Sequence, residues 1–316
     1  MDYPKIDTLV CTSCGACRED CVAQAISPDP YTIREDLCIR CGHCYAVCPV
    51  SAVSWPVSEI NSYQTTENPV GPGEQNPGRD TGVHFGGEPR RDEVPGQAAR
   101  FLENLVYTRR STRQYQNRRI APEVMERLVS LASYAPSGTN ARVAGITIID
   151  GTAEVQELTR CCMQFFAGAA RIVLNPVTRW VLMLLLGRKT TRQLEGYRRS
   201  MDRYFRGGRD ILTHHAPALV CIHAPARLPV SRDDCLILGH SMVLHGESLG
   251  LGSCYNGFLV RALAIHPGLR RRLQLPRGHR VFSVFTLGYP AVRYRRGVPR
   301  SKLVTRIIPG HPETPA

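Results

Sequence analysis

The sequence predicts a chain in two parts: a small cysteine-rich head and a larger body in which helices and strands are mixed. Three observations carry that prediction. Eight of the 13 cysteines fall between Cys11 and Cys48. A stretch from Glu59 to about Ala98 is rich in Gly, Pro and polar residues and lacks apolar periodicity, which marks a boundary. Beyond it, helical and β-branched patterns follow one another, and 43% apolar with 21% charged residues suits a globular chain with a packed core. At 316 residues there is room for about two domains.

The head spans 1–58. CTSCGACREDCV (Cys11–Val22) and CIRCGHCYAVCP (Cys38–Pro49) both read C-x2-C-x2-C-x3-C, with each cysteine repeated 27 residues on. The copying runs past the thiols, since Ala25-Ile26-Ser27 recurs as Ala52-Val53-Ser54. Three thiolates with two residues between neighbours wrap one face of an iron–sulfur cube, and the fourth serves the other cube. This assigns Cys11, Cys14, Cys17 and Cys48 to one [4Fe–4S] cluster, and Cys38, Cys41, Cys44 and Cys21 to a second. The pattern resembles the bacterial two-cluster ferredoxin. Val22 departs from it where Pro is usual, whereas Pro49 keeps it. A disulfide scaffold would need an oxidising compartment, yet MDYPKIDTLV has neither a basic nor an apolar leader region. The expected location is therefore cytoplasmic. Zinc sites use C-x2-C pairs set well apart. His43, inside the second loop, is expected to face solvent.

Charge is uneven. The formal net charge is +13, but residues 1–60 hold Lys5, Arg18, Arg34 and Arg40 against eight acids, which leaves the rest at +17. A basic body could attract nucleic acid, anionic lipid, phosphate-bearing ligands or its own acidic head, or it could simply be rich in solvated arginines. No nucleic-acid-binding signature is found, and no nucleic-acid partner is expected. The stretch 59–98 is expected to be a linker, reaching roughly 30–35 Å if flexible.

In the body, 99–316, Pro122-Glu123 opens a predicted helix with Val124, Leu128 and Leu131 on one face. A Pro-Ser-Gly-Thr-Asn turn then feeds a strand over Ile146–Ile149. RRSTR at 109–113, alone, is a weak signal for a phosphate site. In order with APSGTN (135–140), SLGLGSCYNGF (Ser248–Phe258), TLGYP (Thr286–Pro290) and VPRSKL (Val298–Leu303), it resembles the FMN-dependent nitroreductase family over about 99–312. The resemblance implies an α+β fold: a central mixed sheet with flanking helices, two subunits interlocked as a homodimer, and FMN at their interface. It implies that Arg109, Ser111 and Arg113, with Arg110 beside them, hold the phosphate, ribityl chain and pyrimidine edge. Ser137, Gly138 and Asn140 would come from the second subunit. Asn256 and Gly257 would offer backbone amides near flavin N5 and O4, Gly288 would line the site, and Arg300 and Lys302 would clamp the phosphate. Guanidinium forks and an ammonium suit a phosphate of nearly two negative charges. ARV follows Asn140 where many members have Gln-Pro, which sets the substrate side of the ring apart.

Residues 171–205 include an apolar run, Trp180–Leu186, too short to span a membrane. They read as a cap over the flavin or dimer surface, as an interfacial helix, or as buried core. Cys254 and Tyr255 are candidate substrate contacts, with Cys254 read first as a small buried residue and second as a reactive thiol. Cys161, Cys162, Cys221 and Cys235 read as packing. His214-His215 could face the pocket or be structural. Together these features predict an iron–sulfur flavoenzyme that passes electrons to a small-molecule acceptor, a nitroaromatic or an activated conjugated compound. An external ferredoxin, flavodoxin or NAD(P)H are the candidate donors. An electron-relay module serving a partner protein is the other reading. No side chain is required as a catalytic acid or base.

Overall fold

The computed structural model describes residues 3–55, 95–300 and 303–306. Among these, the residues before 75 and those from Tyr294 onward form one compact unit, and those up to Arg293 form the other. Most of the expected linker, like Lys302, lies outside the described residues. Its last residues, from Pro95, already open a helix. The sequence reading of the body as 99–316 needs adjustment on one point: from Tyr294 the chain packs with the head.

The head contains β1 (Lys5–Ile6), α1 (Ala16–Glu19), β2 (Ile26–Ser27), β3 (Thr32–Ile33), α2 (His43–Val47) and β4 (Val53–Ser54). β1 pairs with β4 and β2 with β3, both antiparallel. The sequence duplication is written into the backbone. Left-handed φ recurs at a spacing of 27, at Ser13 and Arg40, at Gly15 and Gly42, and at Gln24 and Ser51. Each glycine, at φ +79°, starts one of the two short helices directly after the second cysteine of its run, a turn that only glycine makes without strain.

The body runs α3 (Pro95–Thr108), α4 (Pro122–Ala132), a 3-10 turn (Gly138–Asn140), β5 (Gly145–Asp150), α5 (Thr152–Val173), α6 (Pro176–Phe205), β6 (Ala218–Pro225), α7 (Ser231–Ser248), β7 (Gly252–Tyr255), α8 (Gly257–Ile265), α9 (Pro267–Arg272) and β8 (His279–Gly288). The strands lie in the order β5-β6-β8-β7, all antiparallel. A parallel bridge between Ser111 and Ser253 at the β7 edge makes the sheet mixed. β6 reads apolar except at His223 because helices cover both faces. Val220, Ile222, Phe285 and Leu287 pack with α4 and α7, while Leu219, Cys221 and Val284 pack with α5, α8 and α9. Burying each such aliphatic or aromatic side chain contributes roughly 1.5–3 kcal/mol. The predicted helix at Pro122 and strand at 146–149 are both present. Leu131 departs from the expected face, standing 45% exposed while Leu128 is fully buried.

α6 breaks at Gly187, where φ is +79° and ψ 161°. Its C-terminal part packs Met201 and Tyr204 against α5, and the Tyr197 ring lies 5.0 Å from Phe258. Of the three readings of 171–205, that part is core. Among the described residues no helix is long and apolar enough to cross a membrane.

Candidate functional site

The head's thiols lie close to one another, with one neighbourhood around Cys17 and another around Cys44. Cys17 is buried and pushed up to about 11, first by burial and then by the neighbouring Cys11, Cys14 and Cys48. Cys44 is pushed up to about 12 by burial and by Cys41, with Cys38 and Cys17 adding. Cys21, Cys38, Cys41 and Cys44 line one cavity with Ala25, Ile26 and Ile33. Backbone amides of Ala25, Ala52 and Arg40 donate to the sulfurs of Cys21, Cys48 and Cys38 at 3.3, 3.3 and 3.4 Å. No three His, Cys, Asp or Glu side chains among the described residues close on a single metal ion; Cys21, Cys38, Cys41 and Cys44 line a cavity instead. Crowded thiols with raised pKa values need a cationic core to ionise together, and amide bonds to sulfur stabilise the anionic ligands. The residues therefore fit cluster ligation. The expectation for His43 is corrected: it is 4% exposed, its ring meeting Tyr294 edge-on at 5.5 Å.

In the body, RRSTR is laid along β7. The Thr112 amide donates to the Ser253 carbonyl at 2.8 Å. Tyr115 extends the junction, its hydroxyl donating to the Thr112 carbonyl at 2.9 Å with Thr286 Oγ1 2.7 Å away. In extended chain, side chains alternate. Arg109, Ser111 and Arg113 are half-buried on one side, whereas Arg110 and Thr112 are buried on the other. Arg110 thus turns away from the expected cofactor face. Thr112 packs where a Gly252 side chain would be, 2.2 Å from that Cβ position.

Ser111 and Arg113 hydrogen-bond the Cys254 thiol, but burial dominates and raises its pKa. That raised value keeps the half-buried thiol in its neutral form. Tyr255 is pushed up to about 12 by burial, with Arg109 opposing, so its hydroxyl stays a donor. Where a Cβ on Gly257 would stand, nothing lies within 4 Å. Asn256 differs from expectation. Its amide donates to the Val284 carbonyl at 2.8 Å, and its side chain caps α8 by accepting from Leu259 and donates to the Leu212 carbonyl at 2.6 Å. That amide is already committed. Gly288 is also explained by protein packing, since a Cβ there would meet Pro217 at 2.5 Å.

Two residues missed in the sequence, Arg209 and Glu247, complete this face together with His214, which the sequence left between the pocket and a structural role. Arg209 donates to the Arg113 carbonyl at 3.1 Å. His214 is buried beside Arg113 and Arg209 and drops to about 4, burial being the main cause. Its loop is held by buried Asp210, which accepts from the amides of Leu212, Thr213 and His215 at 2.8–3.0 Å. Glu247 is pushed up to about 7 by burial despite Arg109 and Arg110. Glu247 directly precedes SLGLGSCYNGF, the one local signal that could have flagged it. A cluster of cations on a half-open face beside a Gly with free space fits an anionic, planar cofactor such as FMN.

Ser137, Gly138 and Asn140 are not brought to this face. They lie before β5, at the sheet edge opposite β7, about 14 Å away across three strand spacings. The Gly138 amide donates to Asp234 Oδ1 at 2.9 Å, at one end of α7, while Glu247 near Arg109 is at the other end. Thirteen helical residues span about 20 Å. Arg300 is exposed in the unit that contains the head.

Comparison with known proteins adds an independent line. The family model "Nitroreductase family" matches residues 106–289, more than half of the chain, and a "4Fe-4S binding domain" model matches 31–54. A protein of Archaeoglobus fulgidus named as an NADH dehydrogenase/NAD(P)H nitroreductase is 24% identical over 189 residues, covering 59% of this chain and 83% of that one. A protein of Hydrogenibacillus schlegelii named "Ferredoxin 7Fe" is 44% identical over 55 residues, 17% of this chain and 70% of that one. A solved nitroreductase with bound FMN from Bacteroides fragilis shares the fold, with TM-score 0.50 and 21% identity over 66% of this chain and 98% of that one.

Proposed function

The chain belongs to the nitroreductase family, and from that premise we propose that it is an iron–sulfur flavoenzyme acting on an oxidised organic acceptor, a nitroaromatic or an activated conjugated compound. When bound, two [4Fe–4S] clusters would supply single electrons and FMN would gather them in pairs for the acceptor. The observation that carries the reading is a single chain holding both the Arg109–Ser111–Arg113 face and eight thiols in two complete sets. The ferredoxin relative is named for seven irons; eight intact cysteines support two four-iron clusters here.

Each residue has a role on this reading. Arg109 and Ser111 hold the phosphate and ribityl end. Arg113, steadied by Arg209, faces the pyrimidine edge, where a cation favours added negative charge. The Gly257 amide remains for the N5 side, and Tyr255 can donate a hydrogen bond to an acceptor. Ser137, Gly138 and Asn140 come from a second copy of the chain, because one copy holds them far from Arg113. Arg300 and Lys302 are assigned to the phosphate on the VPRSKL motif alone. The name of the archaeal relative supports NAD(P)H as a hydride donor beside a one-electron donor reaching the head.

The test is composition followed by turnover. Protein purified anaerobically should contain about eight irons and one FMN per chain, and should reduce a nitroaromatic when supplied with electrons. Zinc in place of iron, or iron without flavin, overturns the proposal. Full cofactor content without turnover of any small acceptor would instead favour electron relay to a protein.

A further inference from the structure

We propose that the C-terminal segment Tyr294–Val298 is a strap that clasps α2 at both ends, with Arg296 as its pin, so that Cys44 and Cys48 are presented to two different clusters from one fixed element. The inference rests on the two-cluster reading and extends it to residues outside the cysteine motifs.

α2 has five residues and cannot hold itself. A helix this short is far below the length at which helices persist alone, and its last carbonyls have no partner within the helix. Its duplicate, α1, manages its own end, with Arg18 in the last turn and the Asp20 amide returning to the Ala16 carbonyl. α2 has no basic residue in its last turn, and its C-cap, Cys48, is extended. The strap supplies what is missing. The Arg295 amide donates to the Ala46 carbonyl at 3.0 Å. Arg296 Nε donates to the Tyr45 carbonyl at 2.8 Å, and Nη2 reaches the Cys48 carbonyl at 3.5 Å. Nη1 donates to Ser51 Oγ, and the guanidinium stacks 4.4 Å over the Tyr45 ring. A cation on the exposed carbonyls of a helix C-terminus also meets its dipole favourably.

The other end is closed as well. Val298 is 7% exposed and fills the space beside Gly42, 2.3 Å from where a Cβ would stand. The corresponding Gly15 meets only the Tyr31 hydroxyl, at 3.6 Å. Charge agrees with the clasp. Residues 294–300 hold Arg295, Arg296 and Arg300 and no acid, opposite in sign to the net −4 of residues 1–60.

The experiment compares full-length wild type, Arg296→Met and Arg296→Lys, purified anaerobically. Two readouts are taken: amide hydrogen exchange across 43–48, and the rate of iron release to a chelator. In Arg296→Met, exchange over α2 should accelerate while α1 is unchanged. Iron should leave roughly tenfold faster, the scale set by losing charge-assisted hydrogen bonds, with FMN content unaltered. Arg296→Lys should fall between, because a single ammonium cannot reach three acceptors and stack at once. Wild-type exchange and release rates in Arg296→Met overturn the strap, and so does faster exchange with unchanged iron release. A wild type without iron would sink the two-cluster reading, while the exchange comparison would still decide whether Arg296 pins α2.

Discussion

His214 shows how much one side chain can report about this site. It sits at φ +56°, followed by His215 at +54°, and the buried Asp210 carboxylate holds the turn by accepting from the His215 amide and the Thr213 hydroxyl. Nδ1 of His214 lies 3.2 Å from the Asp210 carbonyl, which can only accept, so Nδ1 carries the proton. Burial, then Arg113 and Arg209, lower its pKa from 6.5 to about 4. Between those values the unfolded chain binds more protons than the folded one, so stability is full above about 6.5 and falls as pH drops toward 4. The whole window is worth about 3 kcal/mol. The urea midpoint of wild type should therefore fall more steeply from pH 6.5 to 4.5 than that of His214→Gln. Parallel pH profiles would show that His214 is not held neutral.

At the scale of elements, α7 acts as a spacer. With Asp234 holding the Gly138 turn at one end and Glu247 beside Arg109 at the other, no movement of side chains brings Asn140 to Arg113. The outer sides of the body are also apolar: Phe101, Leu102 and Val106 on α3 and Leu236 and Ile237 on α7 are all more than 40% exposed. A symmetric second copy would complete each site from two chains. Arg113→Ala and Asn140→Ala should each lower FMN retention at both sites of a dimer. Co-expressed, they should restore roughly a quarter of the sites, since half of the randomly mixed dimers carry one intact site. No recovery in the mixture would mean that each chain builds its site alone.

Across the whole molecule, the proposed ligation interleaves the cysteines of the two loops, while the expected FMN contacts from the body lie at Arg109 and beyond. Cys41→Ala should cost the second cluster, and through the shared loops Cys21 and Cys48 should endanger the first. FMN should remain bound. The variant should lose turnover driven by a low-potential one-electron donor and keep turnover driven by a hydride donor. Full one-electron-driven activity in a cluster-free variant would separate the head from the reaction altogether.

What the sequence determined by itself was what depends on local spacing. Thiols with two and three residues between them, repeated at 27, dictate two matching loops, because ligand reach is set within one turn of chain. The alternation in RRSTR and the helix start at Pro122 are equally local. The tertiary structure alone decided which neighbours those residues meet. Asn256 and Gly288 stand in the motif, yet one amide is taken by Val284 and one missing Cβ by Pro217. Arg110 is turned inward by the same alternation that exposes Arg109 and Arg113. His43 is buried because a segment 250 residues later returns to cover it, and α2 borrows its cap from Arg296. Such pairings cost loop closure and are repaid only by contacts between distant stretches of chain, so no local pattern records them.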